Sequence, residues 1–222
     1  MAAGALDLLE HRVRPAAGTA EGALVLLHGR GTDERDLQPL VDALDPERRL
    51  VGVTPRAPLA LPGQPGAHWY VVRRVGHPDP ETFGPTCARL AAWLDALPEA
   101  LGVPWSRTVL GGFSQGTAMA FALGLGPGRP APAGILALSG FLPEVPGYEP
   151  VLEGREGFPV AIAHGSLDPV IPVAFARAAR ERLLAAGADV RYRESPVPHM
   201  IDPGVVPELR EWVAQRTPAA AG

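Results

Sequence analysis

Three residues could together do chemistry in this chain: Ser114, Asp168 and His199, in that order along 222 residues. Ser114 is the centre of Gly112-Phe-Ser-Gln-Gly. A serine hydroxyl at its free pKa is a poor nucleophile. It needs a base, and that base needs a carboxylate to hold its tautomer. With 26 glycines in the chain, a G-x-S-x-G string is weak evidence alone. Its flanks strengthen it. Arg107-Thr-Val-Leu-Gly-Gly ahead reads as a strand, and Thr117-Ala-Met-Ala-Phe-Ala-Leu behind reads as a buried helix. Glycines at such a corner let strand and helix approach closely, which lifts the serine hydroxyl clear of a sheet.

Six histidines compete for the role of base. His28 and His164 each end a strand-like run and precede glycine, so roles in tight turns suit them better. His11 precedes the core strands, His77 sits in a Pro/Gly loop, and His68 adjoins Trp69-Tyr70. His199, in Pro196-Val-Pro-His-Met, is the best candidate, because it occupies a constrained loop between the last strand and the last helix. Its rival reading is a surface-loop histidine. Asp168 lies in His164-Gly-Ser-Leu-Asp-Pro-Val-Ile-Pro, after a strand, at the end where open α/β sheets build their sites. It also suits a turn ahead of Pro169, and the two roles can coexist.

Acyl transfer through a serine needs donors for the developing oxyanion. The N–H of Gln115, next after the nucleophile, is one expected donor. The N–H of Arg30, between Gly29 and Gly31 at the end of a strand, is the other. A phosphate loop at this second place is excluded by spacing and by the absence of lysine: all 20 basic residues are arginine. That absence also excludes Schiff-base and Ser-Lys chemistry. Trp69, Phe141 and Leu142 are the expected apolar substrate contacts.

The elements that must position these groups alternate. Strands are expected at Leu6–Val13, Ala23–Leu27, Leu50–Val53, Thr108–Leu110, Gly134–Leu138, Val160–Ala163 and Val190–Glu194. Several are continuously apolar, as strands covered on both faces are. Helices are expected from Thr32 to Leu44, through Leu90, Trp93, Leu94 and Leu97, from Pro172 to Gly187, and over Val205–Gln215. Trp93 reads as core packing. The alternation implies an α/β fold, with a mostly parallel central sheet and helices on both faces. One domain over residues 1–222 is expected, with 217–222 as a frayed tail. About 20 residues separate Leu138 from Val160, too few for a separate cap domain.

Composition narrows the function classes. At 46% apolar, 20% charged and a formal charge of −4, the chain is globular and carries no basic footprint for nucleic acid. A single cysteine, Cys87, rules out an internal disulfide and a CxxC metal site, and reads as a buried small side chain. No secretory pattern and no run of ~18 apolar residues is visible, so a cytoplasmic location without membrane insertion is expected.

At these residues the chain resembles the phospholipase/carboxylesterase family of α/β-hydrolases, near the acyl-protein thioesterases and small bacterial carboxylesterases. The matching pieces are Leu27-His-Gly-Arg-Gly, Gly112-Phe-Ser-Gln-Gly, His164-Gly-Ser-Leu-Asp-Pro-Val-Ile-Pro and Pro198-His199. The resemblance implies Ser114, Asp168 and His199 as a catalytic triad, with the N–H groups of Arg30 and Gln115 as oxyanion hole. Arg30 stands where the family often has leucine, and Thr117 where it has a further glycine. His68-Trp69-Tyr70 is only similar to its Trp-Phe loop. The expected activity is hydrolysis of carboxylic esters with small or medium acyl chains, without metal or organic cofactor. A thioesterase or lysophospholipase on the same triad is the alternative. A dienelactone-hydrolase-like role follows, and a non-catalytic binding protein comes last. The expected partner is a small-molecule ester, and a homodimer is left open.

Overall fold

The computed structural model describes residues 2–218. In chain order the strands are β1 (His11–Arg14), β2 (Gly22–Leu27), β3 (Leu50–Pro55), β4 (Leu59–Ala60), β5 (Ala67–His68), β6 (Val72–Arg74) and β7 (His77–Pro78). They continue with β8 (Thr108–Phe113), β9 (Gly134–Leu138), β10 (Pro159–Gly165) and β11 (Asp189–Ser195). The helices are α1 (Ala2–Leu6), α2 (Gln38–Leu44), α3 (Pro80–Leu101), α4 (Gln115–Gly124), α5 (Ala174–Ala185) and α6 (Val206–Arg216).

Seven strands form one sheet in the order β1-β3-β2-β8-β9-β10-β11. β1 runs antiparallel to β3, and the other pairs are parallel. The sheet divides two cores with the period of two that strands impose. In β2, Leu24 and Leu26 face α2 and α6, through Val41, Leu44, Leu209 and Trp212. Val25 and Leu27 face the other way, toward the core that α3, α4 and α5 share. All four β2 side chains are fully buried, each worth roughly 1.5–3 kcal/mol of transfer free energy.

Topology sets where chemistry can happen. β2 has β3 on one side and β8 on the other, so the strand order reverses between β2 and β8. Open parallel sheets leave a crevice at that point, outside the carboxyl ends. Register keeps those ends level: Leu27 pairs with Gly112, Phe113 with Leu138, and Leu138 with Ala163. The loops after β2, β8, β9 and β10 therefore leave from one rim.

Three expectations are corrected. The strand expected over Leu6–Val13 begins at His11; Leu6 closes α1, and Leu9 is drawn into the core before the edge strand starts. The helix expected from Thr32 begins only at Gln38, with Pro39 in its first turn. Ahead of it the Asp33 carboxylate accepts the Arg35 N–H at 2.9 Å, and Glu34 turns inward to meet Arg56 at 3.2 Å. The tail expected from Thr217 is pinned at its start. Thr217 is fully buried, its carbonyl accepts from Arg49 at 2.9 Å, and the Pro218 carbonyl accepts from Arg107. Residues 219–222 lie outside the described residues. The connection from β9 to β10, residues 139–158, forms no helix or strand.

Candidate active site

Ser114 sits between β8 and α4 with φ of +56°, a backbone region that L side chains rarely adopt. Neighbouring contacts hold this strain in place. Its N–H donates to the Leu138 carbonyl at 2.9 Å. The Thr117 hydroxyl reaches the Gly112 and Leu138 carbonyls, at 2.6 and 2.8 Å, and accepts the Leu138 N–H at 3.0 Å. Thr117 thus clamps the corner to β9, a role that spacing did not reveal. The flanking glycines are required by space. A Cβ on Gly112 would stand 2.3 Å from the Gly116 carbonyl carbon, and one on Gly116 would stand 1.9 Å from the Leu27 oxygen. Gly116→Ala is therefore expected to destabilise the fold by about 3 kcal/mol or more, lowering Tm by roughly 6–12 °C. A variant melting within about 2 °C of wild type would contradict this close approach.

The loops after β10 and β11 bring the other two side chains to Ser114. The Ser166 N–H donates to Ser195 O at 2.7 Å and the Leu167 N–H to Val197 O at 3.2 Å, which ties the two loops together. His199 Nδ1 lies 2.6 Å from Asp168 Oδ2, and His199 Nε2 lies 3.0 Å from Ser114 Oγ. The Asp168 side chain is fully buried. Its Oδ1 accepts the Val170 and Ile171 N–H groups, each at 2.8 Å, so Asp168 holds its own turn as well as facing His199. The Phe113 ring packs against His199, with centroids 4.9 Å apart.

Two other histidines are structural. His28 Nδ1 hydrogen-bonds Gly29 O at 2.7 Å, and its Nε2 accepts the Ala57 N–H at 2.9 Å. His164 Nε2 donates to Ile171 O at 2.8 Å, while its Nδ1 is buried without a partner among the described residues. Burial lowers the pKa of both below the ordinary imidazole value. The consequence for stability has a definite sign. The unfolded chain binds protons at these rings below about pH 6.5 while the folded chain resists them. Their stabilising contribution is full above that pH and is lost as pH falls below it. We expect the unfolding free energy to drop between pH 7 and 5.5, by up to roughly 1.4 kcal/mol per unit for each ring. His164→Gln should flatten that slope in urea titrations; an unchanged slope would count against it.

The two residues whose N–H groups are expected to serve an oxyanion, Arg30 and Gln115, line the same cleft. Among the described residues neither N–H has a protein acceptor. The Arg30 loop is fixed by its neighbour: the Gly31 N–H donates to Ala67 O at 2.9 Å, and the Ala67 N–H donates to Thr32 O at 2.8 Å. The side chain of Gln115 does different work. Its Oε1 accepts the Trp69 N–H at 3.0 Å, and its Nε2 donates to Tyr70 O at 2.8 Å.

The cleft encloses about 350 Å³ and is lined by Arg30, Tyr70, Val72, Arg74, Val75, Ser114, Gln115, Phe141, Val170 and Ile171. Of the three apolar contacts expected, only Phe141 is part of this lining. Trp69 is fully buried and donates its indole N–H to His28 O at 2.8 Å, so it props the loop from behind. Leu142 borders a separate depression with His77 and Phe175. His68 is buried and turned toward Tyr70 O. The remaining wall residues, Tyr70, Val72, Arg74, Val75, Val170 and Ile171, are not among the contacts expected from the sequence. Cys87 is buried in α3, where desolvation pushes its thiol up to about 12. Among the described residues no group of three or more His, Cys, Asp or Glu is arranged to hold a metal ion. No described helix is long and apolar enough to cross a membrane.

A strained serine corner between a parallel strand and a buried helix, at the reversal of strand order, defines this chain as an α/β-hydrolase. More narrowly, the sequence profile of the phospholipase/carboxylesterase family matches residues 9–216, and the chain belongs to that family. It is similar to acyl-protein thioesterase 1 of Neurospora crassa, 32% identical over 124 residues, which are 54% of this chain and only half of that protein. Acyl-protein thioesterase 1 of Yarrowia lipolytica is 28% identical over 185 residues, covering 77% of this chain and 79% of the relative. Among solved structures, a carboxylesterase of Bacillus cereus superposes with a TM-score of 0.81, at 24% identity, over 94% of each chain.

Proposed function

We propose that this protein is a serine hydrolase of carboxylic esters, acting through an acyl-enzyme on Ser114. The observation that carries the reading is the unbroken relay from Ser114 Oγ through both nitrogens of His199 to Asp168. In this mechanism Ser114 Oγ attacks the ester carbonyl as its proton passes to His199 Nε2. Asp168 stabilises the imidazolium that forms. The N–H groups of Arg30 and Gln115 hold the oxyanion. His199 then protonates the departing alcohol, and later takes a proton from water as the water attacks the acyl-enzyme. The acid leaves and Ser114 is restored. No cofactor or metal enters the sequence.

The chain acts as one domain without a cap in this reading. An uncapped cleft of about 350 Å³ suits small or medium acyl groups. A cytoplasmic location accompanies it. Thioester hydrolysis on the same triad is the second reading, favoured by the similarity to two acyl-protein thioesterases. A series of p-nitrophenyl esters run beside matching thioesters tests both. We expect kcat/KM to peak at acyl chains of about four to eight carbons. Turnover of thioesters alone would overturn the first reading in favour of the second.

A further inference from the structure

The cleft beside Ser114 is largely apolar, with two arginines and no carboxylate among its lining residues. Arg30 and Arg74 are the charged residues of its lining, which they share with Val72, Val75, Phe141, Val170 and Ile171. Both arginines are exposed. Among the described residues neither forms an ion pair. Their neighbours behave otherwise. Arg73, one residue along β6, pairs with Asp79 at 3.0 Å, and Arg35 and Arg56 both pair with Glu34, at 3.5 and 3.2 Å. Carboxylates are thus at hand on these loops, yet none is spent on the two arginines that border the site.

The two groups come from different elements, Arg30 from the loop after β2 and Arg74 from β6. Both elements are fixed by backbone pairing: Gly31 and Thr32 to Ala67, and Arg74 to His77. Arginine presents a rigid fork of donors that matches the oxygens of a carboxylate or phosphate, and such bonds are about twice as strong as neutral ones. The volume limits what accompanies the anion. At about 30 Å³ for each water-sized group, the 350 Å³ cleft takes roughly a dozen heavy atoms.

We infer that the substrate is a small ester bearing an anionic oxygen group, a carboxylate or a phosphate, gripped by Arg30 and Arg74 while its ester carbonyl meets Ser114. The inference rests on the hydrolase reading above. It makes Arg74 a specificity-determining residue and gives the Arg30 side chain a purpose separate from that of its backbone N–H.

The test compares matched esters: 4-acetoxybenzoate and 4-acetoxyphenyl phosphate against methyl 4-acetoxybenzoate, and 4-nitrophenyl hemiglutarate against 4-nitrophenyl pentanoate. Each kcat/KM is divided by that ester's hydroxide rate, which removes intrinsic reactivity. We expect at least one anionic ester to be preferred about tenfold or more at ~0.01 M ionic strength. That preference should shrink several-fold at ~0.5 M salt, as screening requires. Arg74→Gln should reduce it about tenfold, mainly through KM, and Arg74→Glu should reverse it. The larger of the carboxylate and phosphate preferences identifies the group recognised. Hydrolysis of the neutral esters with no anionic preference would overturn the inference alone. So would a preference that survives in the Arg30→Gln/Arg74→Gln double variant. Failure to hydrolyse any of these esters would instead sink the ester-hydrolase reading, and the inference with it.

Discussion

Replacing Ser114 with alanine is expected to lower kcat by roughly 10³–10⁶ while leaving the fold intact. The loss is large because the relay through His199 and Asp168 has no other atom to activate. The fold should survive because the corner is held by backbone and by Thr117, not by Oγ: the Ser114 N–H to Leu138 O bond and the three Thr117 contacts are untouched. Steady-state kinetics on a p-nitrophenyl ester, a thermal melt and labelling by a fluorophosphonate read the three consequences. A folded variant that keeps more than about a tenth of wild-type kcat would exclude Ser114 as the nucleophile.

Asp168→Asn should cost about 10⁴ in kcat, and the surroundings dictate why. Asp168 Oδ1 is committed to the Val170 and Ile171 N–H groups, so an asparagine must place its carbonyl oxygen there. Its NH₂ is then forced toward His199 Nδ1, where Asp168 Oδ2 now accepts. A donor at that position makes Nδ1 the acceptor and moves the ring proton to Nε2. Nε2 then cannot take the serine proton. Combined with Ser114→Ala, the second substitution should add almost nothing, because the two residues act as a unit. Full additivity would mean that Asp168 acts elsewhere.

Much of the fold is legible wherever one physical signal dominates. β2, β8, β9 and β10 are continuously apolar because helices cover both their faces, and the expected strands there agree with the structure to within a few residues. The three residues brought together at the cleft are legible too: Ser114 and Asp168 lie in turns leaving such strands, and His199 lies in the proline-marked loop after the half-polar β11. The wall of the cleft is not. Tyr70, Val72, Arg74 and Val75 lie on or beside β6, a piece of three residues with no periodicity to read, held by pairing to β7. Trp69 misleads for the same reason. An aromatic beside a loop suggests a ligand wall, and only the partner of its indole N–H reveals that it points inward. Thr217 looks like a tail residue because Arg49, which holds its carbonyl, lies far away in sequence.

Gln115 addresses the loop at Trp69 and Tyr70 solely through main-chain atoms, one N–H and one carbonyl. Main-chain groups are the same for every amino acid but proline, so this anchor is indifferent to which side chains the loop displays. Tyr70 is fully buried against Phe83 and belongs to the core, but the exposed Val72 and Arg74 can be exchanged, by drift or by directed evolution, with the loop still seated against the serine corner. The chain separates what must be conserved from what is free to vary. A library randomised at those two positions should hold many altered preferences for each loss of the machinery behind them.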